Sequence, residues 1–84
     1  MSVSETRTAL IGIIVENKES VEALNALLHE YGDCIIGRMG VPHPKKALSI
    51  ISVAIEADQN TVSALSGKLG ALEGVSTKTI YSKK

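Results

Sequence analysis

Imidazole and thiolate are the side chains most often found on transition metals, and this 84-residue chain holds two histidines and one cysteine, His29, His43 and Cys34. Their spacing argues against a site within one copy. Cys34 is expected to begin a β-strand and His43 to lie just past its end, which at about 3.3 Å per residue separates them by on the order of 30 Å. His29 can approach Cys34 alone, and two ligands fall short of the four of a closed zinc centre. No metal is expected within a single copy; the alternative is an ion bridging subunits through His29, Cys34 or His43. Otherwise Cys34 reads as a small buried apolar residue and His29 as a polar or cationic group at a helix C-terminus.

No grouping names a reaction. HExxH and GxSxG are absent, and no two acids sit together in an otherwise apolar stretch, so no catalytic residue, cofactor or enzymatic activity is expected. A ligand-binding end is one reading: Asn17 and Lys18 at the start of a helix and His43, Lys45 and Lys46 in a proline-flanked loop bring positive charge to unpaired helical N–H groups, which suits a small anion or carboxylate. The plainer alternative is a solvated loop with a stiff proline turn. In Ser66-Gly67-Lys68-Leu69-Gly70 each helical glycine costs about 1 kcal/mol relative to Ala. Gly67 and Gly70 are therefore expected to admit the close approach of another backbone, from this chain or a partner. The segment lacks the GxxxxGK[ST] order of a phosphate loop.

The elements that must position these residues are legible. Residues 8–15, 33–41, 48–57 and 75–81 are β-branched runs; the second and third are expected to form a hairpin with a stiff connection, Pro42-His43-Pro44-Lys45-Lys46, in which two prolines forbid the ladder to continue. Val21, Leu24, Leu28 and Tyr31 recur at helical spacing over 18–31, with Asn17 to cap the start and Gly32 to end it. Val62, Leu65, Leu69 and Leu72 do so after a cap at Asp58 or Asn60. The expected fold is α+β, a ferredoxin-like βαββαβ sandwich: a four-stranded antiparallel sheet, first and third strands in the middle, with both helices on one face. One domain over 1–84 is expected, with 1–6 a flexible lead.

Both middle strands are apolar on both faces. Ala9, Ile11, Ile13 and Val15 alternate with Leu10, Gly12 and Ile14; Ile51, Val53 and Ile55 alternate with Leu48, Ile50, Ser52 and Ala54. Helices on one side leave the other face open unless a second subunit covers it. A homodimer or tetramer is therefore expected, its interface drawn from Leu10, Ile14, Leu48 and Ile50, with Gly67 and Gly70 as a second contact. Nine basic and nine acidic residues balance to zero net charge, without the basic stripe of direct nucleic-acid binding. Phe and Trp are absent, so the middle strands lack the aromatics on which RNA-binding βαββαβ domains stack bases. No apolar run approaches the roughly 20 residues of a membrane span, the N-terminus does not read as a signal peptide, and one cysteine suits a reducing compartment. A cytoplasmic protein without membrane contact is expected.

Five segments carry a family resemblance over nearly the whole chain: Ile11-Gly-Ile-Ile-Val-Glu16, Leu27-Leu-His-Glu-Tyr31, Ile35-Ile-Gly-Arg-Met-Gly-Val-Pro42, Ala64-Leu-Ser-Gly-Lys-Leu-Gly70, and Gly74-Val75 with Lys78-Thr79. The helical segment is the most specific. With them the chain resembles the iron-only hydrogenase system regulators, βαββαβ domains related to ACT domains and to the C-terminal domain of nickel-responsive regulators. The resemblance implies a homo-oligomer with a regulatory, ligand-sensing role near hydrogenase maturation. The chain departs from amino-acid-binding ACT domains, which have a glycine in the first turn of helix one where it has Lys18, Glu19 and Ser20. It also lacks the His-x-His strand of nickel-responsive domains, and no DNA-binding segment is expected ahead of Thr8. A small-molecule effector is thus the expected partner; the alternative is a non-catalytic interaction module that docks on another protein.

Overall fold

Alternation of period two builds the sheet. In the computed structural model, which describes residues 5–83, β1 (Arg7–Val15) pairs antiparallel with β3 (Ser49–Ala57) in a register that runs from Arg7↔Ala57 to Val15↔Ser49. β2 (Ile35–Pro42) lies outside β3, and β4 (Val75–Tyr81) lies outside β1. The order is β2-β3-β1-β4, the βαββαβ ferredoxin-type arrangement with the two richest apolar strands in the middle. Of the lead over 1–6, residues 1–4 lie outside the described residues, while the Thr6 hydroxyl donates to the Glu56 carboxylate.

Ala9, Ile11, Ile13 and Val15 of β1 and Ile51, Val53, Ile55 and Ala57 of β3 point to one face and are buried. α1 (Val21–Glu30) lays Leu24 and Leu28 on that face, and α2 (Gln59–Gly70) lays Val62, Leu65 and Leu69 beside them. Two periodicities, two and about 3.6, meet in one dry layer. Asp58 caps α2, its carboxylate accepting the Thr61 N–H at 2.7 Å, and this bond holds its pKa below the ordinary carboxylate value.

Several boundaries differ from expectation. The segment after Asn17 is first a 3₁₀ turn, Lys18–Ser20, and the α-helix starts at Val21. Gly32 does not end α1 in a left-handed conformation: Tyr31 is the cap, and Gly32–Cys34 forms a second 3₁₀ turn. Cys34 therefore precedes β2 rather than beginning it, half-buried against the edge of the core. Leu72 lies beyond α2 yet packs on the core from the following turn.

Gly74 is the one residue with positive φ among the described residues, at 73°. A Cβ there would also lie 2.7 Å from Asn17 Cβ. The close approach stitches the two crossovers together: the Glu16 N–H donates to Gly74 O at 2.7 Å, and the buried Ser20 hydroxyl donates to Glu73 O at 2.6 Å. The helix-one entry and the β4 entry thus form one rigid end of the sheet.

Candidate functional site

The face of the sheet opposite the helices is apolar and uncovered. Leu10 and Ile14 of β1, Ile50 of β3 and Ile80 of β4 are all exposed there, following from the pairs Leu10↔Ala54, Ile14↔Ile50 and Leu10↔Ile80. Met39 and Val41 of β2 join them opposite Ser52 and Ile50, Met39 at 68% exposure. The charged residues of this face, Lys78 on edge strand β4 and Glu56 near the end of β3, lie at its margins. Glu56 accepts from the Thr8 and Thr6 hydroxyls, Thr8 having the larger effect, and both hold its pKa below the ordinary value. Small residues give the face relief. One hollow of about 300 Å³ sits over Gly12 between Ile14 and Lys78, and another of about 260 Å³ over Gly37 and Ala54 between Leu10 and Met39.

A second concavity lies on the helix side. β2 contributes no fully buried residue, because α1 sits over the middle of the sheet and leaves a groove between itself and the edge strand. Its loop end, about 210 Å³, is lined by Lys18, Val21, His43, Lys46, Leu48 and neighbours. It continues into a cavity of about 200 Å³ floored by Val15, Leu24 and Ile51 and flanked by Arg38 and Gly40. Val15, Val21, Pro42 and Ser49 belong to both. Beyond Asn25 and Arg38 the groove opens past His29 toward Gly32. His43 shapes the loop: its Nδ1 accepts the backbone N–H groups of Lys45 and Lys46, both at 3.0 Å, so the hydrogen of the neutral ring sits on Nε2.

The expected ligand residues are thus partly gathered. Lys18, His43 and Lys46 line one cavity, whereas Asn17 and Lys45 do not. Asn17 is engaged as a cap, its side chain accepting the Glu19 N–H at 2.9 Å and its carbonyl the Ser20 N–H at 3.0 Å. The first-turn donors expected to hold an anion are consequently occupied by Asn17 itself. Among the interface residues, Leu10, Ile14 and Ile50 share the open face. Leu48 precedes β3 and turns half-buried into the loop-end cavity. Gly67 and Gly70 lie in the opposite layer and differ from each other: a Cβ at Gly67 would meet nothing within 4 Å, while one at Gly70 would lie 3.1 Å from Thr77 Oγ1. Tight intrachain packing therefore explains Gly70 and not Gly67. His29, Cys34 and His43 occupy separate places, and no cluster of three His, Cys, Asp or Glu suited to a metal ion occurs among the described residues.

Sequence reasoning missed Met39, Val41, Ile80 and Arg38. In β2 a bulge between Ile35 and Gly37 changes the alternation: Ile35 pairs with buried Ile55, yet Met39, of the same parity, pairs with Ser52 on the open side. The bulge also turns Arg38 toward the helices, where its guanidinium donates to Asn25 Oδ1 at 3.1 Å. The apolar–polar alternation Ser76, Thr77, Lys78, Thr79, Ile80 is too weak to mark a face; only its pairing with β1 does so.

A family model described as TM1266-like, "Iron-only hydrogenase system regulator, putative", matches residues 7–79. The chain belongs to this family. The solved structure of TM1266 from Thermotoga maritima superposes with a TM-score of 0.90 at 35% identity, covering 94% of this chain and all of that one. A "Putative nickel-responsive regulator" from Saccharolobus solfataricus is 29% identical over 66 residues, 79% of this chain. The chain spans 49% of that relative's length. A formyltetrahydrofolate deformylase from Pseudomonas putida shares the fold at 11% identity and a TM-score of 0.61, this chain matching 28% of it. No helix among the described residues is long and apolar enough to cross a membrane.

Proposed function

We propose that this chain is a non-catalytic regulatory domain that works as a stack of identical copies joined through their open sheet faces and that responds to a small effector. The observation that carries the reading is the concentration of Leu10, Ile14, Met39, Val41, Ile50 and Ile80, all exposed, on one nearly uncharged face. With strands about 4.8 Å apart and about 3.3 Å of rise per residue, the face spans roughly 500 Å² before side-chain relief. That lies at the upper end of the apolar patches monomers expose, about 300–600 Å². Hollows over Gly12 and Gly37 beside knobs at Ile14 and Met39 suit a two-fold partner with the same relief, since a patch that meets itself must carry both. Zero net charge offers no opposing repulsion. Family membership supports regulation of an iron-only hydrogenase system as the setting.

Sedimentation velocity of the parent and of Ile50→Asp tests this. The parent is expected to sediment as a dimer or tetramer, and the variant, which buries a carboxylate if the faces stack, as a folded monomer. A monomeric parent at the highest soluble concentration overturns self-stacking and gives the face to a different protein, to be sought by pull-down.

A further inference from the structure

We infer that the groove between α1 and β2 binds a small amphipathic anion, a molecule with one carboxylate or phosphate head and an apolar body. This rests on the effector-responsive reading above and assigns that effector a place and a chemical class. Charge makes the first part of the case. The chain has nine acidic residues against nine basic ones, yet no carboxylate lines any part of the groove, while Lys18, Arg38 and Lys46 all do. Three of the nine basic residues thus gather along one concavity in a chain that is neutral overall. These cations are also uncommitted. Arg38 donates one N–H to Asn25, leaving four of its five donors, and no ion pair or hydrogen bond engages the Lys18 or Lys46 ammonium among the described residues.

The floor supplies the second part. Val15, Leu24 and Ile51 lie beneath the cation-bearing rim, and Gly40 leaves β2 without a side chain where one would fill the space. The loop-end and central cavities share walls, and together they fall within the roughly 300–1,000 Å³ of small-molecule sites. Exposed lysines alone hold an anion weakly because water screens them. An apolar body on the floor adds burial at about 25 cal/mol per Å². Head and body are both required, and because Asn17 has taken the first-turn N–H groups, side chains rather than a helix terminus hold the head.

Isothermal titration of the full chain with octanoate and with hexyl phosphate tests the assignment, with acetate, inorganic phosphate and hexanol as the separate halves. At least one amphipathic probe is expected to bind and the halves not to. Which head binds better distinguishes a carboxylate source from a phosphoester source. The exposed double variant Lys18→Gln/Lys46→Gln is expected to weaken binding at least about tenfold, as loss of charge-assisted hydrogen bonds does. Gly40→Leu, whose Cβ would meet Ile51 Cγ1 at an ordinary 3.7 Å, is expected to abolish it in a protein that circular dichroism shows to be folded. Lys45→Gln, one residue outside the lining, is expected to leave it unchanged. In ¹⁵N spectra the shifted amides are expected at Lys18, Gly40 and Ala47 and not at Gly12 or Ser52. Binding that survives Gly40→Leu, shifts confined to Gly12 and Ser52, equal binding of the halves, or no binding by either amphipathic probe overturns the assignment. Sedimentation keeps the two readings apart: copies that stack but bind no probe refute the groove alone, and a monomer that binds octanoate in the groove refutes the stacking alone.

Discussion

Ile13 and Ile14 are adjacent, identical and central, and they face different surroundings. Ile13 is 1% exposed beneath the helices and Ile14 is 43% exposed on the far side of the same strand. The strand sends Ala9, Ile11, Ile13 and Val15 to one face and Leu10 and Ile14 to the other, but two helices supply cover for one face. An all-apolar strand in a two-layer fold thus specifies a core and, on its other side, a surface that only another molecule can dry. The same inequality recurs within the covered layer, where α1 leaves β2 bare and a groove results.

The sharpest way to break this comparison is to make the same change twice. Ile13→Ala is expected to cost about 2–5 kcal/mol, enough to unfold so small a domain near room temperature. Ile14→Ala, measured where copies are dissociated, should stay within about 0.5 kcal/mol of the parent. Equal losses by thermal melts would mean that the two faces are equally packed and would remove the contrast. If copies stack, the Ile14→Ala melt should lag the parent only as concentration rises.

Next in size is Gly74→Ala, which adds left-handed strain of about 1–2 kcal/mol to a 2.7 Å contact with Asn17. Chemical denaturation is expected to show a larger loss than for alanine at any other glycine among the described residues, since it loosens the end that anchors Lys18. A smaller contrast lies within α2. Gly67→Ala, with open space around its Cβ, should stabilise the dissociated chain by about 0.5–1 kcal/mol; Gly70→Ala, facing Thr77 Oγ1 at 3.1 Å, should not. If Gly67→Ala instead destabilises only the assembled form, α2 carries a second interface.

The smallest expected effect is acid sensitivity. The Asp58 and Glu56 carboxyls titrate below their ordinary values because Thr61 and the Thr8–Thr6 pair hydrogen-bond their charged forms. Groups with depressed folded values stabilise fully above the unfolded carboxylate range, about pH 4, and lose that contribution as pH falls through the folded values. Asp58→Asn should therefore flatten the acid limb of a pH–melting curve while lowering its neutral plateau slightly, and an unchanged acid limb would assign the acid response to other carboxylates.

Most elements were legible because their signals are local. β-branched runs, helical spacing at Val62, Leu65 and Leu69, and Gly74 before β4 mark the chain within a few residues. The loop-end grouping of Lys18, His43 and Lys46 followed from topology. What escaped depended on partners distant in sequence. Leu48 has the parity of Ile50 yet leaves the open face because it precedes the ladder. Gly67 and Gly70 look alike in sequence and are separated only by which of them faces β4. Arg38 enters the groove because a bulge, invisible in the letters, shifts β2 by one position.

The order of apolar and polar residues by itself determined that this chain makes four strands and two helices, that β1 and β3 are central, and that one sheet face would be apolar without an intrachain cover. These follow from period and composition, which each segment carries within itself. The tertiary structure alone decided the phase of β2, the incomplete cover by α1, and the gathering of Lys18, Arg38 and Lys46 along one groove free of carboxylates. Those depend on register and helix placement, set by the packing of all elements together, and a one-residue shift in either would point the same side chains elsewhere.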